Sequence, residues 1–411
     1  MKNLNRNIPK CLTKVNQKYI LDQQLDFFLK NKITKIHLFL GFGHEQVVKH
    51  IEKRKEFDFV LHIEEVPLGT GGGFVSSLQT IFSDLLLVHG DLFLDFPLES
   101  MINPKSSSET FDWLQLVHPS SHMHDSDIVE VDKNLYIKNF HLKPHDAKKE
   151  LRNLCNAGIY FFPSNTISKM RHHFSLLKIT SPIDLDRFVM PMLLQLGLKG
   201  LAIRNKGFVK DIGTIDRIQA LETMISANYV QKEKPIVFLD RDGVINEDSG
   251  LIKSKSELKI FPMVDRAIAM LNRAGYWVCV VTNQPVVARG LASIEDIQSI
   301  HNHIDKEISF AGAFIDEYYF CPHHPDSGFL GENLQYKIDC SCRKPKIDLF
   351  RRAFEEFPST IEKSILIGDS WRDKQAAEAA KLFYIEISQK PSQLNSFLNL
   401  HEAVEFIIKN L

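Results

Sequence analysis

Apolar residues along this chain come in short dense runs separated by longer amphipathic stretches. The runs are "KIHLFLGFG" (35–43), "LLLVHGDLF" (85–93), "AGIYFFP" (157–163), "PIVFLDRDG" (235–243), "WVCVVTNQ" (277–284) and "SILIGDS" (364–370). Each reads as a buried parallel strand followed by helical periodicity. That alternation makes the fold class α/β in both halves. One polar break, "ANYVQKEKP" (227–235), has a helical pattern on its left and a fresh strand on its right, with a proline before the new run. The expected organisation is a first domain over 1–228, a linker over 229–233 and a second domain over 234–411. No internal repeat occurs, and "KSSSE" reads as a surface loop.

Composition narrows the class. At 411 residues, with 44% hydrophobic and 25% charged residues, two soluble globular domains can each bury a core. Lys+Arg 50 against Asp+Glu 51 leaves a net charge of -1, so no global field favours nucleic acid or an anionic membrane. Small-molecule chemistry is the default. The opening "MKNLNRNIPKCLTKVNQKYI" has no apolar core fit for a signal peptide, and no long apolar run suggests a membrane span. A cytoplasmic protein is expected. Six cysteines are too few for a disulfide scaffold; Cys321, Cys340 and Cys342 crowd together while Cys11, Cys155 and Cys279 stand apart. Clustered thiols in a reducing compartment point to metal.

In an open α/β sheet, ligands gather at the carboxyl ends of the strands. Three apolar runs end alike: in Asp240-Arg241-Asp242-Gly243, in Thr282-Asn283-Gln284, and in Gly368-Asp369-Ser370 with Asp373 behind; "SCRKPK" adds Arg343 and Lys344. Collected in one crevice, these residues would hold Mg²⁺ and a phosphate. The hard cation takes carboxylate oxygens from Asp240, Asp242 and Asp369 and neutralises their repulsion, with Asp373 behind them. Asp240 can attack phosphorus, while Asp242 serves as general acid and then base. Lys344, Arg343, Thr282, Asn283 and Gln284 are the candidate substrate contacts. Cys321-x-His323 with Cys340-x-Cys342 offers one nitrogen and three sulfurs, the donor set of a closed structural Zn²⁺ site; His324 competes with His323. Such a zinc would stiffen the loop carrying Arg343 and Lys344.

The ordered motifs D-x-D-G, T-N-Q, R-K-P and G-D-x-x-x-D resemble the haloacid dehalogenase-like (HAD-like) phosphatases. The spacing leaves no room for a large cap domain. With the zinc loop, "FLDRDGVINED" and "VTNQPVVARG", the second half is similar to the zinc-containing subgroup of heptose bisphosphate and histidinol phosphatases. The resemblance implies a HAD-like Rossmannoid fold and removal of the 7-phosphate of D-glycero-D-manno-heptose 1,7-bisphosphate. Histidinol phosphate or another small phosphomonoester is the alternative. Pro285 departs from the usual serine, and Ser370 stands where some members carry a lysine.

The first half carries "EEVPLGTGGGF", "VHGDLFLDF", "NAGIYFFPSN" and "DIGTIDRIQALE". Its glycines let backbone approach a ligand, and Asp91 and Asp211 each end an expected strand. This order resembles the sugar-1-phosphate nucleotidyltransferases, implying a GT-A/Rossmann-like sheet, Mg²⁺, a sugar phosphate and a nucleoside triphosphate. On that resemblance Glu65 and Gly71 face the sugar or base, Asp91 and Asp211 bind metal, and Lys10 and Lys143 contact phosphate. The family begins with a strand and a glycine-rich loop ahead of the Pro9-Lys10 position, and residues 1–8 cannot supply both. Either more sequence lies upstream, or the half is a non-catalytic sugar-phosphate-binding module. Leu142 and His89 are further departures, at positions where glutamate and asparagine are usual. Together the halves resemble a fused enzyme of nucleotide-activated heptose synthesis, with no feature suited to nucleic acid or lipid.

Overall fold

Strands form where the apolar runs lie, though not always in the direction or grouping those runs suggest. The computed structural model describes residues 8–103, 110–146, 149–175, 179, 181–226, 230, 233–328, 330–391 and 394–411. Residues 1–7, the "KSSSE" segment and most of the expected linker lie outside the described residues. Two compact units emerge, one gathering residues 1–117, 129–142 and 156–230, the other 118–128, 143–155 and 231–411. Two stretches from the first half of the sequence thus belong to the second unit.

The first half of the chain forms β1 (Lys14–Val15), β2 (Lys18–Tyr19), α1 (Ile20–Lys30), β3 (Lys35–Leu40), α2 (His44–Ile51), β4 (Asp58–Ile63), α3 (Gly69–Ser77), β5 (Leu85–Val88), β6 (Leu92–Asp95) and α4 (Leu98–Ile102). It continues with β7 (Trp113–His118), β8 (Ile128–Val131), β9 (Ile137–His141), β10 (Cys155–Phe162), α5 (Ser164–Phe174), α6 (Met190–Gln195), β11 (Gly200–Arg204), β12 (Phe208–Asp211) and α7 (Ile215–Ser226). One sheet runs β11-β7-β10-β8-β9, with β5 on β10; β3 pairs β4, and β6 pairs β12. Among the described residues no strand joins the β3–β4 pair to the larger sheet.

Three expectations need correction here. The run 157–163 lies in β10, which pairs antiparallel with β5 and β8. An apolar run buried on both faces shows that a strand is central but not which way its neighbours point. The run 85–93 is two strands, β5 and β6, which belong to different sheets; Asp91 sits between them. Finally, the glycine-rich "GTGGGFVSS", expected to let backbone approach a ligand, is helix α3. Glycine is a weak helix former, but here its missing side chain permits close packing: a Cβ on Gly71 would crowd Val189 and the Leu185 backbone.

The second half forms β13 (Ile236–Leu239), α8 (Val264–Ala274), β14 (Trp277–Asn283), α9 (Ile294–Ser309), β15 (Glu317–Cys321), α10 (Asp348–Glu356), β16 (Ile365–Gly368), α11 (Trp371–Ala380), β17 (Phe383–Ile387), β18 (Ser396–Phe397) and α12 (Leu400–Asn410). Its six strands are all parallel, in the order β15-β14-β13-β16-β17-β18. Side chains alternate between faces, so each strand feeds two cores. Val237 and Leu239 join Val264, Ile268, Ile300 and Val404 on one face; Ile236 and Phe238 join Phe350, Ala353 and Ala377 on the other. Burial on both faces is why these strands read as unbroken apolar runs. The chain winds outward from β13 through β14 to β15, then returns to β16 on the other side of β13. The switch between β13 and β16 opens a crevice at their carboxyl ends. Asp240 and Asp369 are the residues that follow those two strands.

Candidate active site

Carboxylate oxygens of Asp240, Asp369 and Asp373 lie within 4.8 Å of one another. Backbone geometry makes the crowding possible. Gly243 has φ +82 and faces Asp369 so closely that a Cβ would overlap its carboxylate. Gly368 is spared a Cβ where Asp373 approaches. The motif spacing has its own local cause: Ser370 caps α11, its hydroxyl meets the Asp373 main chain, and Asp373 reaches back to Ser370. The capping box therefore fixes Asp373 under the site.

One cation sits in the group. Lys344 Nζ is 2.9 Å from Asp240 Oδ1 and 2.6 Å from Asp373 Oδ1, and all three side chains are largely buried. Burial opposes the lysine charge, but Asp240 and Asp373 outweigh it and hold its pKa above the usual range. Asp373 is held low despite its burial, through Lys344 and Ser370. The other two carboxyls go the opposite way. Burial pushes Asp240 up to about 8, with Asp373 and Asp242 adding to the rise against Lys344. Burial and then Asp373 push Asp369 up to about 6. Three carboxyls therefore share one ammonium, an arrangement that favours a further cation beside them.

The other expected residues fall into place unevenly. Asn283 donates to the Lys344 carbonyl at 3.1 Å and accepts from the Lys344 backbone N–H at 2.9 Å, tying β14 to the lysine loop. Thr282 Oγ1 accepts from Gln284 Nε2 at 2.8 Å, which leaves its own proton for another acceptor. Gln284, expected at the substrate, is 3% exposed and instead bridges Thr282, Asp242 and Arg241. Asp242, expected among the metal-binding carboxylates, is outside the group of three: its oxygens accept from Arg241, Asn246 and Gln284. Asp373, expected behind the ligands, reaches into the group while both its oxygens serve Lys344 and Ser370. Arg343 Nη1 donates to the His323 carbonyl at 3.3 Å. Arg241 and Asn246 are the residues that motif reading passed over; the only signal was their place inside "DRDGVIN".

Behind Arg343, donor atoms of Cys321, His323, Cys340 and Cys342 lie within 4.8 Å of one another. Cys321 Sγ is 3.4 Å from Cys340 Sγ, Cys342 Sγ is 3.2 Å from Cys340 Sγ, and His323 Nδ1 is 3.2 Å from Cys342 Sγ. All six cysteines are free thiols. Contacts with Cys321 and then Cys340 and His323 draw the Cys342 thiol down to about 5. His324 turns away, accepting from the Asp326 backbone at 3.2 Å.

In the first unit, Lys10 Nζ lies 3.7 Å from Asp91 Oδ2, and Asp211 stands opposite Leu92 in the β12–β6 ladder, beside Asp91. The Asp211 carboxylate pairs with Arg217. Glu65 is exposed on a cleft of about 410 Å³ that His62, Glu64, Leu68 and Ser77 also line. Two expected residues do not join them. Gly71 is used up in packing against Leu185 and Val189, and Lys143, in a segment of the second unit, turns to the Asp125 carbonyl at 3.1 Å. A polar network was missed: Asn156 donates to Asp186 at 2.9 Å, Tyr160 donates to the same oxygen, and His89 Nε2 is 3.8 Å from its partner oxygen. "NAGIYFF" marked Asn156 and Tyr160, but nothing in the sequence tied Asp186 to them.

Removing Lys344 leaves Asp240 and Asp373 buried against each other, so Lys344→Met is expected to cost roughly 3–5 kcal/mol of stability in denaturant titration. Adding Asp373→Asn removes one of the stranded charges and should return part of that loss; no recovery would mean the lysine acts by packing.

Known proteins match the two parts of the chain separately. Residues 1–228 match the family model of the nucleotidyl transferases. The C-terminal part is 39% identical over 147 residues to D-glycero-beta-D-manno-heptose-1,7-bisphosphate 7-phosphatase of Rhodopseudomonas palustris, covering 36% of this chain and 79% of that one. For the protein of the same name from Vibrio cholerae the values are 42% over 147 residues, 36% and 77%. Among solved structures, D,D-heptose 1,7-bisphosphate phosphatase from B. bronchiseptica, complexed with magnesium and phosphate, is 28% identical with a TM-score of 0.38, covering 43% of this chain and 99% of that one. The chain belongs to the nucleotidyl transferase family through its first 228 residues and to the D-glycero-beta-D-manno-heptose-1,7-bisphosphate 7-phosphatase family through its C-terminal part.

Proposed function

We propose that the second unit hydrolyses a sugar phosphomonoester in the cytoplasm through an aspartyl-phosphate on Asp240, with the 7-phosphate of D-glycero-D-manno-heptose 1,7-bisphosphate as the group removed. The observation that carries this reading is Asp240 at the sheet's switch point, 2.9 Å from a buried ammonium and crowded by further carboxylates. The relatives' shared name supports the choice of substrate. Asp240 attacks phosphorus as the bond to the sugar oxygen breaks. Asp242 gives that oxygen its proton, then takes one from the water that releases phosphate. Lys344, held by Asp373 and by Asn283, keeps positive charge beside the reacting carboxylate, and the Thr282 hydroxyl has a proton to offer a phosphoryl oxygen.

The oxygen-only donors Asp240 and Asp369 suit a hard cation: burial first, and neighbouring carboxylates after it, raise the pKa values of both, and such a cation favours their charged forms. Bound there, Mg²⁺ would offset charge on the phosphoryl oxygens. Cys321, His323, Cys340 and Cys342 suit Zn²⁺: their separations approach the roughly 3.7 Å edges of a tetrahedron with bonds of about 2.3 Å. With four protein donors that metal would hold the loop and leave no open position.

The first unit, on this reading, binds a sugar phosphate and a nucleoside triphosphate, with Lys10, Asp91 and Asp211 at the nucleotide phosphates. Their grouping at the β6–β12 ladder supports it.

Asp240→Asn should lower phosphate release by at least about 10³-fold, and EDTA should abolish it until Mg²⁺ is restored. A variant with native turnover removes the nucleophile assignment, and faster turnover of histidinol phosphate than of the heptose bisphosphate removes the substrate. Elemental analysis should find about one zinc per chain, absent from the Cys340→Ser/Cys342→Ser double variant. Retention of zinc by that variant would refute the ligand set. In calorimetry, nucleoside triphosphate with Mg²⁺ should bind the native chain and bind Asp91→Asn at least about tenfold more weakly. Absence of binding to the native chain favours a non-catalytic module.

A further inference from the structure

Arg241 separates Asp240 from Asp242 in sequence and is 0% exposed. A buried guanidinium requires an anion with well-aligned acceptors. Asp242 supplies them: Arg241 Nε and Nη2 donate to its Oδ1 at 3.1 and 3.0 Å, and Nη2 donates to Oδ2 at 3.0 Å. Two amides complete the hold. Asn246 Nδ2 donates to Oδ1 at 2.9 Å, and Gln284 Nε2 donates to Oδ2 at 2.9 Å. Gln284 is itself pinned at both ends, accepting from Arg241 Nη2 at 2.9 Å and donating to Thr282 at 2.8 Å. Beneath Arg241, His301 lies stacked on Tyr318 at 4.3 Å; burial, and then Arg241 and Arg152, keep its pKa well below the usual range. A neutral His301 therefore places no second positive charge beside the guanidinium.

A free aspartate samples several rotamers, whereas proton transfer needs its oxygen within about 3 Å of the reacting oxygen. We propose that Arg241 is a positioning residue for Asp242: with Gln284 and Asn246 it holds the carboxylate in one place and orientation for proton transfer. This rests on the reading of Asp242 as acid and base. In the first step the Asp242 proton passes to the sugar oxygen as the ester P–O bond breaks and the Asp240–phosphorus bond forms. In the second, a water proton returns to Asp242 as water oxygen bonds phosphorus and Asp240 departs. Arg241 gains and loses nothing in either step.

The test compares Arg241→Met, Arg241→Lys, Asp242→Asn and the Arg241→Met/Asp242→Asn pair in the full chain with Mg²⁺. Substrates are a sugar phosphomonoester, whose leaving oxygen needs a proton, and 4-nitrophenyl phosphate, whose leaving group does not. Single-turnover cleavage of the sugar ester by Arg241→Met should slow by about 10²-fold, within the range general acid catalysis supplies, with KM little changed. Release of nitrophenolate should stay within about threefold of native, and Arg241→Lys should recover part of the sugar-ester rate. In the Asp242→Asn background, Arg241→Met should add less than about threefold. Equal losses on both esters, or an undiminished loss in that background, would show that Arg241 serves the fold alone. Should Arg241→Met not fold, Asn246→Ala keeps the buried ion pair and carries the same comparison, with the same overturning result. If Asp242→Asn itself retains native turnover, the acid/base assignment fails, and any loss in Arg241→Met then counts against positioning.

Discussion

Three carboxylates share less than 5 Å at the carboxyl end of a buried sheet, and their mutual repulsion governs what surrounds them. At about 4 Å two unit charges cost roughly 1 kcal/mol in water and about four times that near a protein surface. A fold accepts such a group only with compensating positive charge and rigid walls. Lys344 supplies one charge, and its place is secured by two hydrogen bonds between its backbone and Asn283. Gly243 and Gly368 supply the room, because any side chain there would displace Asp369 or Asp373.

The two aspartates of the D-x-D motif are two residues apart yet live in different surroundings. Asp240 faces Lys344 and other carboxylates, and burial lifts its pKa to about 8. Both oxygens of Asp242 accept from nitrogen donors, on Arg241, Asn246 and Gln284. Unlike environments suit like groups to unlike roles, which is what the proposed division into nucleophile and proton donor requires. The residue between them makes the difference: a long guanidinium folded back on its own neighbour converts the space under the turn into a rigid seat.

The two units carry their chemistry differently. In the second, the expected residues end a parallel strand, follow one, begin the helix after it or sit on the loop stitched to one, so motif order along the chain becomes proximity at the carboxyl ends of the sheet. In the first, candidates scatter. Lys10 pairs with Asp91 beside the β6–β12 ladder that carries Asp211, Gly71 is spent on packing, and Lys143 belongs to a segment of the second unit. A glycine-rich stretch there signified a helix that lies close to its neighbours, and not a loop open to a ligand.

The strands of the second unit, the residues that end them, and the Cys/His set were legible in the sequence, because burial on both faces leaves unbroken apolar runs and a sheet of parallel strands puts successive carboxyl ends together. Asp373 was picked out by its place behind Asp369, but the capping box that seats it emerged only from the structure. What the sequence could not disclose was orientation: that β10 runs antiparallel to β5 and β8, that Gln284 turns inward, that Asp242 points to Arg241, and that residues 143–155 leave the first unit for the second. Hydrophobicity reports whether a position is buried and spacing reports which face it occupies. Which of several possible partners a buried polar group takes depends on residues distant in sequence, and only the packed chain decides that.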